Sequence, residues 1–154
     1  MKMSPEYTKA QQNMQPGVIT SDGFFGNDHR NLVDIIEADE EEFTRLGLDF
    51  DEVINLLRRL LQEGRKGLGE PVTIDNKWVV TTTEARGHLA SPFEDGIFRK
   101  VNAVIQHAPD GKHDGNHLLV SDLSLHLIEK NHFLQGRGSS FRNEPEMIKK
   151  VLEL

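Results

Sequence analysis

The segment from Ser121 to Arg142, SDLSLHLIEKNHFLQGRGSSFR, gathers histidines, carboxylates, arginines, serines and glycines around one apolar helical pattern. A helix in this segment places Asp122, His126 and Glu129 on one stripe, at about 100° per residue. A carboxylate beside an imidazole favours the charged ring and sets its tautomer, which suits general acid–base catalysis or metal binding. The stripe therefore predicts His126 as a base or ligand, oriented by Asp122 or Glu129.

The same stripe also fits a structural role, in which Asp122 caps the helix and the histidines bond to backbone groups or water. Glu129 and His132 match the Glu-x-x-His spacing of carboxylate-bridged metal helices. Those proteins use a pair of such motifs together with further glutamates, and the chain has no second copy. The pattern therefore excludes a carboxylate-bridged metal pair.

The GRGSSFR loop that follows combines the residue types that bind anions. The candidate ligand-binding residues are Gly136, Arg137, Gly138, Ser139, Ser140 and Arg142. Glycines let backbone N–H groups converge, arginine pairs bidentately with carboxylate or phosphate, and a helix start adds partial positive charge. Glu144 and Glu146 oppose an anion there, and neither phosphate-loop spacing is present. A helix end at Gly136 followed by a structured turn is the alternative.

A second candidate site lies between two predicted strands. His107 ends one strand, His117 begins the next, and His113 lies in the loop between them. If the strands pair near this loop, the three imidazoles can supply the three protein ligands of a catalytic zinc site. The loop is rich in glycine, so solvated histidines are the alternative interpretation.

Composition narrows the classes of function. The chain has 154 residues, a net charge of −7 and no cysteine, which excludes disulfides and thiolate metal sites. The acidic balance disfavours nucleic acid as a partner. The absence of an apolar run of about 18 residues predicts no membrane span, and the polar first residues predict no signal peptide. We expect a soluble, cytoplasmic protein.

Residues 1–22 are polar, contain two prolines and show no periodicity, which predicts a flexible N-terminal tail or a loose strap. Residues 23–154 are predicted to form a single domain. Its first helix begins at Asn27 or Asp28 and ends at Gly47, and its second begins at Asp49. The second helix carries the clearest apolar pattern, in Leu56, Leu57, Leu60 and Leu61.

The remaining segments alternate between strand and loop signals before two further helices. The predicted strands are 72–74, 78–86, 101–107 and 117–120, with a loop at 87–96. A third helix begins at Ser121 or Asp122 and ends near Gly136, and Asn143 with Glu146 caps the last helix. Segregated runs of this kind indicate an α+β fold: two N-terminal helices, a small mainly antiparallel sheet of about four strands, and two C-terminal helices.

Three segments carry a resemblance to known proteins. SDLSLHLIEKNHF, GRGSSFR with the following Glu144–Pro145, and GLGEPV (67–72) resemble small bacterial proteins of unassigned function. The resemblance implies a bacterial, cytoplasmic protein and brings no activity, cofactor or partner.

These observations lead to two hypotheses from different classes. The first is a non-catalytic binding or assembly module that recognises a small anionic ligand or an acidic peptide group through Arg137, Arg142 and the backbone of 136–140. The alternative is a small metal-dependent hydrolase or lyase built on His126, with a divalent metal of no favoured identity. Homo-oligomerisation through the leucine-rich second helix is a further possibility.

Overall fold

The computed structural model describes residues 3–154, which form α-helices around a four-stranded antiparallel sheet. The elements are α1 (Pro5–Asn13), α2 (Leu32–Leu46), α3 (Phe50–Arg65), β1 (Val72–Ile74), β2 (Trp78–Ala90), β3 (Ile97–His107), β4 (His117–Ser121), α4 (Asp122–Asn131) and α5 (Pro145–Leu152). The predicted α+β class is confirmed. Within residues 3–154, every helix is too short or too polar to cross a bilayer.

The ends of α2 and α3 follow local backbone chemistry. Gly47 adopts φ 72°, and the Leu48 N–H donates to the Phe43 carbonyl at 2.8 Å, which closes α2 as predicted. Asp49 then caps α3 by accepting from the Glu52 N–H at 3.0 Å. The predicted start of α2 was too early, because Asn31 is its N-cap and accepts from the Asp34 N–H.

The last two helices end and begin differently from the prediction. α4 stops at Asn131 because His132 takes a left-handed conformation (φ 54°) and stacks on Phe50 at 3.8 Å. Asn143 does not cap α5, whose N-cap is Glu144. The Asn143 amide instead accepts from the Leu119 N–H and donates to the Leu119 carbonyl, at 3.1 and 2.9 Å. It therefore ties the entry of α5 to the edge of β4.

The sheet buries one face against α3, α4 and α5. The strands follow the order β1-β2-β3-β4, and the buried side chains on this face include Val80, Ile105 and Leu118. Trp78 is also buried, and its indole N–H donates to the Val151 carbonyl at 2.6 Å. This bond satisfies the one polar group of the ring inside the core.

The β2–β3 hairpin is longer than predicted. β4 pairs with β3 only as far as Asn102, and β1 pairs with β2 only as far as Val80, so residues 84–90 and 97–101 project as a two-stranded arm. The pairing shifts register between Ala85 and His88, where Gly87 has φ 92°. Such a bulge bends the arm, and the Leu89 and Phe98 side chains of the arm pack against the apolar cluster that contains Ala10 and Met14.

The N-terminal segment contains α1, a helix that the sequence analysis did not predict. Ala10 and Met14 are 1% and 0% exposed, and the Tyr7 ring packs edge-on against Phe93 at 5.5 Å. The Gln11 side chain accepts from the Leu32 N–H at 2.9 Å, at the start of α2. Few apolar side chains make these contacts, so a polar sequence without a clear period conceals the helix.

α4 is shared between two apolar clusters, because it is apolar on two faces. Leu125 and Ile128 belong to the cluster over the sheet, whereas Leu123 and Leu127 pack with α1 and α2. The chain beyond α4 crosses the segment 24–27 in very close contact. The Gly136 N–H donates to the Phe24 carbonyl and the Asn27 N–H to the Arg137 carbonyl, each at 2.9 Å.

The first prediction concerns this crossing. A Cβ at residue 136 would lie 2.3 Å from the Phe25 carbonyl oxygen, a backbone atom that cannot move aside easily. We expect Gly136→Ala to lower the free energy of unfolding by about 3 kcal/mol. Gly111→Ala is the matched control, since its Cβ meets no atom within 4 Å and its φ is 77°.

Gly111→Ala should lose only about 1 kcal/mol, the cost of placing an L-residue in the left-handed region. Chemical denaturation followed by circular dichroism measures both values. Equal losses in the two variants would contradict the close crossing.

Candidate functional site

Arg142, a predicted ligand contact, is engaged inside the protein. Its guanidinium forms a bidentate pair with Asp39, with both N···O distances at 2.8 Å, and the two side chains are almost fully buried. Its remaining N–H groups donate to the Glu144 carboxylate and, at 2.7 Å, to the Gln135 carbonyl. Every guanidinium donor is therefore used, which leaves none for a ligand.

The rest of the predicted anion loop is divided between two surfaces. Gly138, Ser139 and Ser140 line a cleft, whereas Arg137 lies over a shallow depression beside Asp28. The Arg137 backbone N–H donates to the Asp28 carboxylate at 3.1 Å. The same carboxylate pairs with Arg30, which holds the pKa of Asp28 well below its usual range. Arg137 therefore lies beside a carboxylate that is already paired with Arg30, on a surface separate from the cleft that Ser139 and Ser140 line.

The cleft has a volume of about 640 Å³, which lies within the roughly 300–1,000 Å³ of small-molecule sites. Its walls are the segment 19–26, the base of the β2–β3 arm, the start of α4 and the loop 135–141. Apolar side chains form part of the lining: Ile19, Phe24, Leu89, Leu123 and Phe141. Polar side chains form much of the rest: Thr20, Ser21, Asn102, Ser121, Ser139 and Ser140.

Two unpaired cations lie at this cleft, on strand β3. Most arginines of the chain pair with a carboxylate, and within residues 3–154 the exceptions are Arg86, Arg99 and Arg137. Arg99 lines the cleft together with Lys100, which also has no ion-pair partner in that range. Sequence reasoning missed both residues, because the loop predicted at 87–96 hid the length of the arm that carries them.

Gln135 is a further cleft residue that the sequence analysis did not select. It is 4% exposed and has a left-handed φ of 71°, which is uncommon for a residue with a side chain. The Ser139 hydroxyl donates to its Oε1 at 2.5 Å. Its amide nitrogen donates to no group among residues 3–154. Because the nitrogen is not among the fully buried atoms without a partner, it keeps contact with solvent at the cleft. Only the three-dimensional structure shows such a donor.

The predicted stripe on α4 does not bring its three side chains together. His126 is buried, and its Nε2 lies 2.9 Å from the Asp95 carboxylate, on the turn that closes the β2–β3 hairpin. Glu129 pairs instead with Arg58 at 2.9 Å. Burial alone would raise the pKa of Asp95, but hydrogen bonds from Ser91 and His126 outweigh it and lower that pKa. His126 therefore holds the hairpin turn against α4.

The three predicted zinc ligands lie apart. Strand pairing matches His117 with Gln106, and paired residues share one face of a sheet, so the adjacent His107 lies on the opposite face. His117 and His113 are exposed, whereas His107 is 8% exposed. No group of three histidine or carboxylate side chains within residues 3–154 is arranged to hold a metal ion.

His107 instead joins two carboxylates. Its Nδ1 lies 2.5 Å from Asp114 and its Nε2 lies 3.0 Å from Glu153. Burial lowers the pKa of His107, but the hydrogen bonds to these two carboxylates outweigh it, so the pKa is raised above 6.5. The contact with His107 also lowers the pKa of Asp114 to about 2. The imidazole thereby connects the 108–116 loop to the C-terminal end of the chain.

Comparison with known proteins assigns neither a family nor a function to the chain. The chain matches no protein-family model, no curated protein and no solved structure.

The second prediction concerns the buried Arg142–Asp39 pair. Arg142→Ala should lower the free energy of unfolding by about 3 to 5 kcal/mol, because Asp39 stays buried without its partner. Arg59→Ala provides the control, since the Arg59–Asp75 pair is exposed and should contribute less than about 1 kcal/mol. Urea titration of both variants measures the two losses of unfolding free energy. Similar losses would show that the buried pair stabilises the fold no more than the exposed pair does.

The third prediction concerns pH. Because the folded state raises the pKa of His107, its contribution to stability is full below pH 6.5 and is lost as the pH rises through the raised value. The difference in unfolding free energy between the wild type and His107→Gln should therefore be largest below pH 6.5 and should decrease above it. The exposed His113 is the control, and His113→Gln should leave the unfolding free energy nearly unchanged. A pH-independent difference for His107→Gln would contradict the raised pKa.

Proposed function

We propose that the protein is a non-catalytic binding module whose cleft takes a small anionic molecule. The observation that supports this function best is the presence of Arg99 and Lys100 at the cleft without a carboxylate partner. In an acidic protein of net charge −7, unpaired cations beside a concave surface favour an anionic ligand.

The charges at the cleft support an anion more than a cation. Two carboxylate residues also line it, Glu84 and Asp22. Glu84 accepts from Arg65 at 2.8 Å, so Arg65 compensates its charge. Asp22 is the one carboxylate left to oppose Arg99 and Lys100. The unpaired groups at the cleft therefore sum to a positive charge.

The proposed anion site overlaps only in part with the loop that the sequence predicted to bind an anion. Arg142 is buried against Asp39, and Arg137 lies outside the cleft. Gly138, Ser139 and Ser140 remain part of the site, and the two serines can donate hydroxyl hydrogen bonds. The loop therefore supplies one wall of the site, and β3 supplies the charge.

The fourth prediction tests the two cations. Titration of the labelled protein with benzoate and with inorganic phosphate, followed by amide chemical shifts, should show saturable changes at residues 99–102 and 138–140. The double variant Arg99→Ala, Lys100→Ala should weaken binding at least about tenfold, as expected for the loss of a charge-assisted hydrogen bond.

Arg86→Ala is the matched control, because Arg86 lies on the same arm and is also unpaired, yet does not line the cleft. It should bind like the wild type. Equal losses of affinity in Arg86→Ala and in the double variant would show that the change in net charge alone causes the effect. The absence of any saturable shift in the wild type would contradict the proposed function.

A further inference from the structure

We propose that Gln135 selects the ligand of the cleft by donating a hydrogen bond from its amide nitrogen. This inference rests on the proposed function and narrows its ligand class. The ligand is an organic anion with an apolar body and a separate hydrogen-bond acceptor, such as a carbonyl oxygen. Arg99 and Lys100 bind the anionic group, and Gln135 binds the acceptor.

The surroundings of Gln135 fix its amide in one orientation. The Ser139 hydroxyl holds Oε1 at 2.5 Å, so the opposite edge of the amide presents its nitrogen. Gln135 is 4% exposed and lines the cleft, and its nitrogen has no acceptor within residues 3–154. The nitrogen is not among the fully buried polar atoms without a partner, so it keeps contact with solvent at the cleft. A ligand acceptor that reaches it exchanges this contact with water for a hydrogen bond inside the cleft, which favours a ligand that carries an acceptor.

The backbone at Gln135 is held from both sides. Arg142 donates to the Gln135 carbonyl at 2.7 Å, and the next residue, Gly136, donates to the Phe24 carbonyl at 2.9 Å. These contacts keep Gln135 at a φ of 71°, a conformation that a residue with a side chain adopts only under constraint. The buried Arg142–Asp39 pair thus positions the amide and does not contact the ligand.

The lining also defines the body of the ligand. Ile19, Leu89 and Phe141 line the cleft together with Gln135, and each is only partly buried. An apolar group against these side chains removes their remaining surface from water. A small, fully hydrated ion such as phosphate would leave this surface and the Gln135 donor unused. An aromatic or aliphatic acid with a second polar group can contact the two cations, the apolar side chains and the Gln135 amide nitrogen.

The fifth prediction compares matched compounds that differ only in the acceptor. The carboxylate pair is para-acetylbenzoate and para-ethylbenzoate, and the phosphate pair is para-acetylphenyl phosphate and para-ethylphenyl phosphate. In each pair that binds, the acetyl compound should bind the wild type about tenfold more tightly, the ratio that one hydrogen bond provides. The pair that binds more tightly identifies the anionic group.

Gln135→Glu should remove this preference. The substitution keeps an oxygen for the Ser139 hydroxyl and replaces the donor with a second oxygen. Its added charge acts on both members of a pair alike, so the affinity ratio isolates the hydrogen bond. Ser139→Ala frees the amide to rotate and should reduce the ratio, which provides a second test if Gln135→Glu fails to fold. Arg86→Ala is the control, since Arg86 lies outside the cleft, and this variant should keep the full affinity ratio.

The outcomes separate the two proposals. Equal affinity of the acetyl and ethyl compounds for the wild type overturns the inference alone, as does a ratio that persists in Gln135→Glu. Failure of every one of these compounds to bind the wild type contradicts the proposed function and the inference with it.

Discussion

The buried ion pair between Asp39 and Arg142 is the interaction on which the rest of the structure depends. It joins α2 to the loop that follows α4, over a separation of 103 residues. Removing two charges from water is costly, and the pair is tolerated only because every guanidinium donor has an acceptor. One of those acceptors is the Gln135 carbonyl. The pair therefore fixes the wall of the cleft as well as the packing of the helices.

A second constraint arises from α4, which is apolar on two faces and must be covered on both. The sheet covers Leu125 and Ile128, and the N-terminal segment covers Leu123 and Leu127. Without α1 and α2 the second face would remain in water. The chain therefore folds its first residues back over α4, and Gly26 and Gly136 allow the backbones to cross at close range. The cleft forms where the N-terminal segment meets the β2–β3 arm.

The sequence analysis predicted the structural features that depend on contacts between residues close together in the chain. Gly47, Asp49 and Ser121 act as helix ends or caps because such contacts span only a few residues. It did not predict which carboxylate meets His126 or what Arg142 contacts, since Asp95 and Asp39 are distant in the chain. Nor did it predict α1, whose few apolar contacts depend on Phe93 and on the start of α2.

The charge distribution supports the proposal of an anionic ligand even though the protein is acidic. A net charge of −7 repels anions at long range, but salt screens such interactions beyond about 8 Å under physiological conditions. The affinity for the proposed anion would therefore depend on the groups lining the cleft, and most acidic side chains within residues 3–154 lie outside it. Ion pairs already neutralise many of those carboxylates, whereas Arg99 and Lys100 keep their full charge. Overall acidity opposes a long polyanion, which meets the whole surface, more than the proposed small ligand, which would meet only the groups at the cleft.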